Sequence, residues 1–424
     1  MGFACVSSVS EIVNSKNEGS ANRPMNSLRI VIVMIEAPVP FGNAAARWFY
    51  VLLKELAARG HRVTAFAACS NHSEIEEARP LFPSPEYDLR LYPFPKRGGL
   101  RAKIETFWKP YSFMFGDDLK RDLRQTLASG FDILHLEQLW SAWIGLDHLE
   151  RALVSVHYSN AIDQEFVKPR SLKQMLHRRL LFRAERHLLG RLRFIRSCSS
   201  RLAAAIRPVN PTAPIFVIPF GLDSTQYPFV QNAQRSSTPI VGLTGSMGWY
   251  PSSSAALRLL TRLWPRIRVQ IPEARLQIVG WNARSVLRDH VNDPGVTIEE
   301  NVADTRPYFE RMSVMLYAPS RGSGMKIKVQ EAFAYGVPVV TTSEGVEGLS
   351  AVDGIHAGVV DDDDGLIERT VRLLRDVEAQ NRQRVAARQL LETECGPKPT
   401  VDAILAAYDV ILQQETGSVA HAAD

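Results

Sequence analysis

The sequence predicts an α/β protein made of two Rossmann-like, doubly wound domains. Three observations carry this. Short apolar runs rich in Val, Ile and Leu alternate with segments of helical periodicity in both halves of the chain. The run at 28–35 leads through a loop into an amphipathic helix and, after Gly60, into a second run at 61–67, which is how a doubly wound domain begins. The run at 239–244 starts the same rhythm again. With 424 residues, the chain has room for two domains of about 200 residues each.

Taken in order, residues 1–27 are mostly polar and Ser/Asn-rich and lack the basic start and long apolar core of a signal peptide. They are expected to form a disordered extension. The first domain is expected over 28–218. Its first helix, about 44–59, carries Ala45, Trp48, Phe49, Leu52, Leu53 and Leu56 on one stripe. Runs at 131–136 and 152–157 read as strands; Glu137 follows the first and His157 ends the second. Groups at the carboxyl ends of such strands are where ligands sit. Residues 79–115 are irregular, aromatic and basic. They read either as a loop facing an acceptor or a membrane, or as a loop that folds back as core.

Residues 168–207 are dense in Arg and Lys, including Arg178, Arg179, Arg183 and Arg186, with Glu185 the one acid and leucines interleaved. Such a helix suits an anionic membrane surface; the plainer reading is the solvated face of a packed helix. No nucleic-acid-binding signature accompanies it, so the net charge of +5 points to phosphates or anionic lipid, not to nucleic acid. A polar linker is expected at 219–236, a second domain at 237–395, and a last helix with its tail at 396–424. No apolar run approaches the roughly 18–20 residues that span a membrane. The four cysteines are scattered, without a CxxC pair or a disulfide framework. A cytoplasmic protein, at most peripheral at the inner face of the cell membrane, is expected.

The second domain holds the densest signal. An apolar run at 314–318 meets the Gly-rich turn Arg321-Gly322-Ser323-Gly324. A helix of about 325–335 follows, Gly336 stops it, and 337–342 is another strand. The turn empties onto a helix N-terminus, whose N–H groups and partial positive charge suit phosphate. Val329, Ala332, Phe333 and Gly336 make the packing face, while Lys328, Glu331 and Tyr335 fall on a neighbouring one. Lys neutralises phosphate, and Glu accepts hydrogen bonds from paired sugar hydroxyls. The bland alternative is a Lys–Glu pair on a solvated face. Asp361 to Asp364 read as an exposed loop before a helix, and no metal site is expected.

The run Gly322-x-Gly324-x-Lys326-x-Lys328-x-x-Glu331-Ala-x-Ala-x-Gly336-x-Pro-Val-Val resembles the nucleotide-sugar site of retaining glycosyltransferases of family four, which share the two-domain GT-B fold. The branch it most resembles works in bacterial surface-polysaccharide synthesis. The resemblance implies two Rossmann-like domains facing across a cleft, with the last helix crossing back to the first domain. It implies a nucleotide diphosphate sugar as co-substrate, a glycan or lipid-linked hydroxyl as acceptor, and no metal or other cofactor.

In residues, the resemblance implies that Glu331 holds the ribose, Lys326 and Lys328 the phosphates, and Gly322, Ser323, Gly324 and Met325 the phosphates or sugar through backbone. Gly42 and Asn43 match a donor-phosphate loop, as do Gly245 and Ser246. Val302 lies in the segment that sits beside the base, and His157 matches a histidine facing the sugar near the reacting carbon. Two departures stand out. Many members carry cations just beyond the Gly245 loop, where this chain has Trp249-Tyr250-Pro251, so Lys326 or Lys328 must supply that charge. Many also carry a first glutamate eight residues before the second, and here that position is Ser323. A sugar-nucleotide epimerase of the same fold, or a non-catalytic scaffold in a polysaccharide complex, are the alternative functions.

Overall fold

Parallel strands buried on both faces need a near-continuous apolar sequence, and such strands form the centre of two sheets. The computed structural model describes residues 27–41, 43–96, 105–165, 167–169, 171–230 and 237–421, with 415–421 as backbone only. Residues 1–26 of the predicted N-terminal extension, Gly42 and residues 231–236 of the predicted linker lie outside the described residues. The chain divides into two units. One comprises the chain through His157, Lys173–Ile218 and Val401–Asp424; the other comprises Tyr158–Leu172 and Pro219–Thr400. The sequence reading ran the first domain without a break from 28 to 218, whereas the structure gives Tyr158–Leu172 to the second unit.

The first unit holds β1 (Arg29–Met34), β2 (Arg62–Cys69), β3 (Asp88–Pro93), β4 (Ile133–Glu137), β5 (Ala152–Val156), β6 (Phe194–Ser197) and β7 (Ile215–Val217), in sheet order β3-β2-β1-β4-β5-β6-β7. β1 pairs in parallel with β2 and with β4, Ile32 standing against Ala65 on one side and His135 on the other. The second unit holds β8 (Ile240–Thr244), β9 (Arg275–Gly280), β10 (Val296–Glu300), β11 (Val314–Tyr317), β12 (Val339–Thr341) and β13 (Gly358–Val359), ordered β10-β9-β8-β11-β12-β13. In each sheet the order reverses once, between β1 and β4 and between β8 and β11. Those switch points are where a doubly wound sheet opens a crevice at its strand carboxyl ends.

Elements missed in the sequence have physical reasons. Strand β3 is a half-buried edge strand with charged residues and a terminal proline, all of which mask a strand signal. The helical segment after β8 loosens in its middle. Tyr250–Arg258 and Trp264–Gln270 are α-helical, and Leu259–Leu263 between them is π-helical. Pro265 has no N–H for the usual i−4 bond, which favours a wider turn just before it.

Of the segment at 79–115, the described residues fold back as core in part. Phe82 and Phe115 are buried. The Phe82 ring stands edge-on to Tyr87 at 5.1 Å, and Lys54 caps the pair, its ammonium 4.4 Å from the Tyr87 centroid and donating to Leu81 O at 2.7 Å. Phe107 and Trp108 stay exposed. The Arg-rich segment forms the helix Leu172–Leu189, whose later half packs through Leu181, Ala184, Leu188 and Leu189 while Leu172 and Leu176 remain exposed. Glu185 is buried and therefore does not offset the surface cations. No helix among the described residues is long and apolar enough to cross a membrane.

Candidate functional site

In the second unit the loops leaving β8 and β11 flank the switch point. The first must come very close to β9. A Cβ on Gly280 would stand 1.8 Å from Gly245 O, and one on Gly245 would stand 2.5 Å from Lys328 Nζ. Gly245 and Gly280 have φ of +148° and +159°, which also favours glycine. These glycines let two backbones and a lysine share one small space. Beyond them Ser246 is exposed, Met247 N–H donates to Trp281 O at 2.9 Å, and Trp249 turns back toward the second loop. On the β9–β10 side, Asn301 (φ +54°) takes Asn282 N–H on its Oδ1 at 3.1 Å, and Val302 beside it is half-buried.

The helix after β11 runs Ile327–Ala334, shorter at both ends than predicted, with Gly336 at φ +66° just past its end. No side chain caps its N-terminus. The N–H groups of the preceding loop divide into two sets. Gly322 N–H donates to Glu344 Oε2 at 3.3 Å, and Ser323 N–H to Asp163 Oδ1 at 2.7 Å. The amides of Gly324 and Met325 make no hydrogen bond among the described residues. Those two amides, at the positive end of the helix, are the ones poised for an anion.

Two lysines serve this end. Lys326 is 1% exposed and its ammonium donates to Gly324 O, bracing the loop. Lys328 is half-buried and donates to Ser252 Oγ. Both ammonium groups lie against the Trp249 ring, at 5.6 and 5.5 Å from its centroid, and Lys328 is also 4.6 Å from that of Tyr317. Burial, then the nearby Lys326 charge, pushes the Lys328 ammonium down to about 7, with Glu331 acting the other way. Glu331 is buried one turn along the helix. Tyr335, predicted on the same face, is core instead: its ring stacks on Phe309 at 5.0 Å and meets Tyr227 edge-on at 5.1 Å. It follows the last helical residue, where the chain has already turned inward toward Gly336.

The first unit has its own polar centre at the ends of β4 and β5. Glu137 is fully buried and accepts from Trp48 Nε1 at 2.7 Å and His157 Nε2 at 2.6 Å, with His135 Nε2 at 3.1 Å and Arg196 at 3.9 Å. Burial alone would raise the Glu137 carboxyl. The charge and hydrogen bond of His135 and those of His157 outweigh it and hold the carboxyl well below its usual range. Burial lowers His157, against the pull of Glu137, so its ring is neutral near pH 7. Its proton is on Nε2, facing Glu137, and Nδ1 is the acceptor. His135 Nδ1 meets the Tyr408 hydroxyl at 2.6 Å, which ties the C-terminal helix Pro397–His421 into this unit.

Of the other predicted residues, Asn43 caps the Ala44–Ala58 helix, its Oδ1 accepting from Ala45 N and Ala46 N. Arg179, Arg183 and Arg186 are exposed and Arg178 is half-buried. The Asp361 to Asp364 run caps and pairs. Asp361 takes Ser343 N–H, Asp362 caps Asp363–Arg375, Asp363 pairs with Arg258 and Arg262, and Asp364 pairs with Arg266. Three residues escaped the sequence reading. Trp249 organises both lysines, Asp163 holds the Gly-rich loop, and Glu36 stands just past the end of β1. The Glu36 Oε2 is buried without a hydrogen bond among the described residues. Burial, opposed by Asn43 and aided by Glu74, pushes its carboxyl up to about 7. An acid at the end of the apolar run 30–35 was the available signal for Glu36.

Two family models match the sequence. One described as "Glycosyl transferases group 1" matches residues 238–376, and one described as "Glycosyltransferase Family 4" matches residues 45–226. No curated protein matches it. Among solved structures the chain is similar to sucrose-phosphate synthase from Thermosynechococcus elongatus, with TM-score 0.62 and 16% identity over 93% of this chain and 100% of that one. It is similar to Anabaena HepE in complex with UDP and glucose, with TM-score 0.61 and 12% identity over 93% and 100%. It is also similar to WaaG, a glycosyltransferase involved in lipopolysaccharide biosynthesis, with TM-score 0.61 and 15% identity over 90% and 99%. At these identities the likeness speaks for the fold.

Proposed function

Because this chain belongs to the group 1 glycosyltransferases, a GT-B enzyme family, we propose that its second unit holds the diphosphate of a nucleotide sugar between the Gly324 and Met325 amides and Lys328. The sugar passes to a hydroxyl of a glycan or lipid-linked acceptor with retained configuration. The observation that carries this reading is the pairing of two uncommitted amides at an uncapped helix N-terminus with a lysine whose charge burial has made costly. As the C1–O bond to the diphosphate breaks, negative charge grows where these donors already point, which is the preorganised stabilisation that lowers a barrier. Glu331 accepts from the ribose hydroxyls. His157 is the histidine that the family resemblance assigns to the sugar, and Glu137 holds its ring in one tautomer. The reading calls for no metal ion.

The test is a transfer assay with a panel of nucleotide sugars and a hydroxylated acceptor. One nucleoside diphosphate should be released per glycoside formed, and the new bond should keep the donor's anomeric configuration. Acceptor-independent release of an epimerised sugar would contradict it.

The acceptor side of the proposal includes an anionic membrane surface. Arg179, Arg183 and Arg186 are exposed along the Leu172–Leu189 helix with Leu176, and the Arg183 guanidinium lies 6.0 Å from the exposed Trp108 ring. Basic side chains with an interfacial Trp and Leu suit anionic headgroups, at about 1 kcal/mol for each Arg near the surface. Sedimentation with anionic vesicles should carry the protein down at low salt, and the triple change of Arg179, Arg183 and Arg186 to Ala should reduce this at least tenfold. Equal binding to zwitterionic vesicles would remove the electrostatic basis.

A further inference from the structure

The Gly-rich loop is gripped by a segment from elsewhere in the chain. Tyr158–Leu172 belongs to the second unit. Its Ser159 N–H donates to Ser323 Oγ at 2.7 Å; Ser323 Oγ donates to Asp163 Oδ1 at 2.9 Å, and Ser323 N–H to the same oxygen at 2.7 Å. Ser323 is fully buried in this grip. Glu165 adds an ion pair to Arg321 at 3.4 Å.

Asp163 is more than a brace. Both loop contacts use Oδ1, while among the described residues Oδ2 takes no hydrogen bond and no Lys or Arg forms an ion pair with the carboxylate. The carboxylate lies beside Gly322, where a Cβ would stand 3.5 Å from Oδ1 and 3.4 Å from Lys326 Nζ, just before the two amides left for phosphate. A negative charge there repels phosphate, so what it suits is a neutral, hydroxylated group attached to the phosphate. Carboxylates take hydrogen bonds from paired hydroxyls through a free oxygen.

We propose that Asp163 is a specificity residue for the donor: Oδ1 fixes Ser323, and Oδ2 accepts hydrogen bonds from the hydroxyls of the transferred sugar. It thereby favours neutral hexoses and disfavours uronic acids, whose own carboxylate it repels. This rests on the nucleotide-sugar reading above.

The experiment separates the two. Calorimetry measures binding of UDP, UDP-glucose and UDP-glucuronic acid, with GDP and GDP-mannose as a second pair, to the full chain and to Asp163→Asn and Asp163→Ala. The asparagine keeps an acceptor for Ser323 but puts an amide N–H₂ where Oδ2 was. The expected result is that Asp163→Asn binds the free nucleoside diphosphate within twofold of the wild type and the nucleotide hexose at least tenfold more weakly. Its preference for glucose over glucuronic acid should also shrink at least fivefold. A parallel loss for free and sugar-bearing nucleotide would make Asp163 a loop brace only and overturn the inference, as would unchanged hexose binding. Should the wild type bind neither nucleoside diphosphate, the donor-site reading fails and this inference falls with it. If Asp163→Ala does not fold, the asparagine variant alone decides.

Discussion

Replacing Lys328 with Met is expected to lower kcat/KM for glycosyl transfer about 100- to 1000-fold, the usual cost of removing one preorganised donor from a developing charge. The side chain is long enough to preserve packing against Trp249 and Tyr317, so the fold should persist. The wild-type pH dependence follows from the same lysine. Burial and the Lys326 charge put its folded-state pKa at about 7, below the 10.5 of a free lysine. The cation is present below that value and is lost as pH rises through it. Diphosphate affinity should therefore weaken above about pH 7, approaching tenfold per pH unit, and Lys328→Met should flatten that slope. The stability linkage has a related sign. Between about pH 7 and 10.5 the unfolded chain holds a proton that the folded chain does not, so Lys328 opposes folding near neutrality and less so as pH rises. Titrations of nucleoside diphosphate from pH 6 to 9, with both proteins, check this; a slope that survives in Lys328→Met would assign it to another group.

Replacing Glu137 with Ala should cost about 3–5 kcal/mol of stability, the scale seen when one member of a buried charge network is removed. Glu137 is the shared acceptor for Trp48, His135 and His157 and the anion nearest the fully buried Arg196. Without it, Arg196 keeps its cation–π contact with Trp48, 4.3 Å from the ring centroid, but loses its counter-charge. Urea unfolding of the first unit's transition measures this. Glu137→Gln should cost less stability, since an amide oxygen still accepts one hydrogen bond. It should nonetheless lower kcat at least tenfold, because an amide no longer enforces Nε2–H on His157. An undiminished kcat in a folded Glu137→Gln protein would leave His157 with a packing role alone.

The sheets were readable because their central strands are mostly apolar and their helices carry clear stripes, as in β1 and the Ala44–Ala58 helix. What the sequence concealed lay at the edges and in long-range contacts. β3 hides behind charges and a proline, and β13 is only two residues long. The Lys328 and Glu331 pair was legible from helical spacing next to a Gly-rich turn. Trp249 was not, since its meaning comes from lysines almost 80 residues away. Nor was Asp163, whose partner Ser323 lies 160 residues on. Tyr335 shows the reverse case: spacing put it beside the loop, but it enters the aromatic core. Periodicity fixes a face of a helix, not the direction a side chain takes once the helix ends.

The central claim is that the loop and helix after β11 bind a nucleoside diphosphate. Calorimetric titration of UDP and GDP into the wild type and into Glu331→Ala tests it most directly. One of the two nucleotides should bind the wild type, and Glu331→Ala should weaken that binding at least tenfold through loss of the ribose contact. Equal affinity in both proteins, or no binding to the wild type, would contradict the claim.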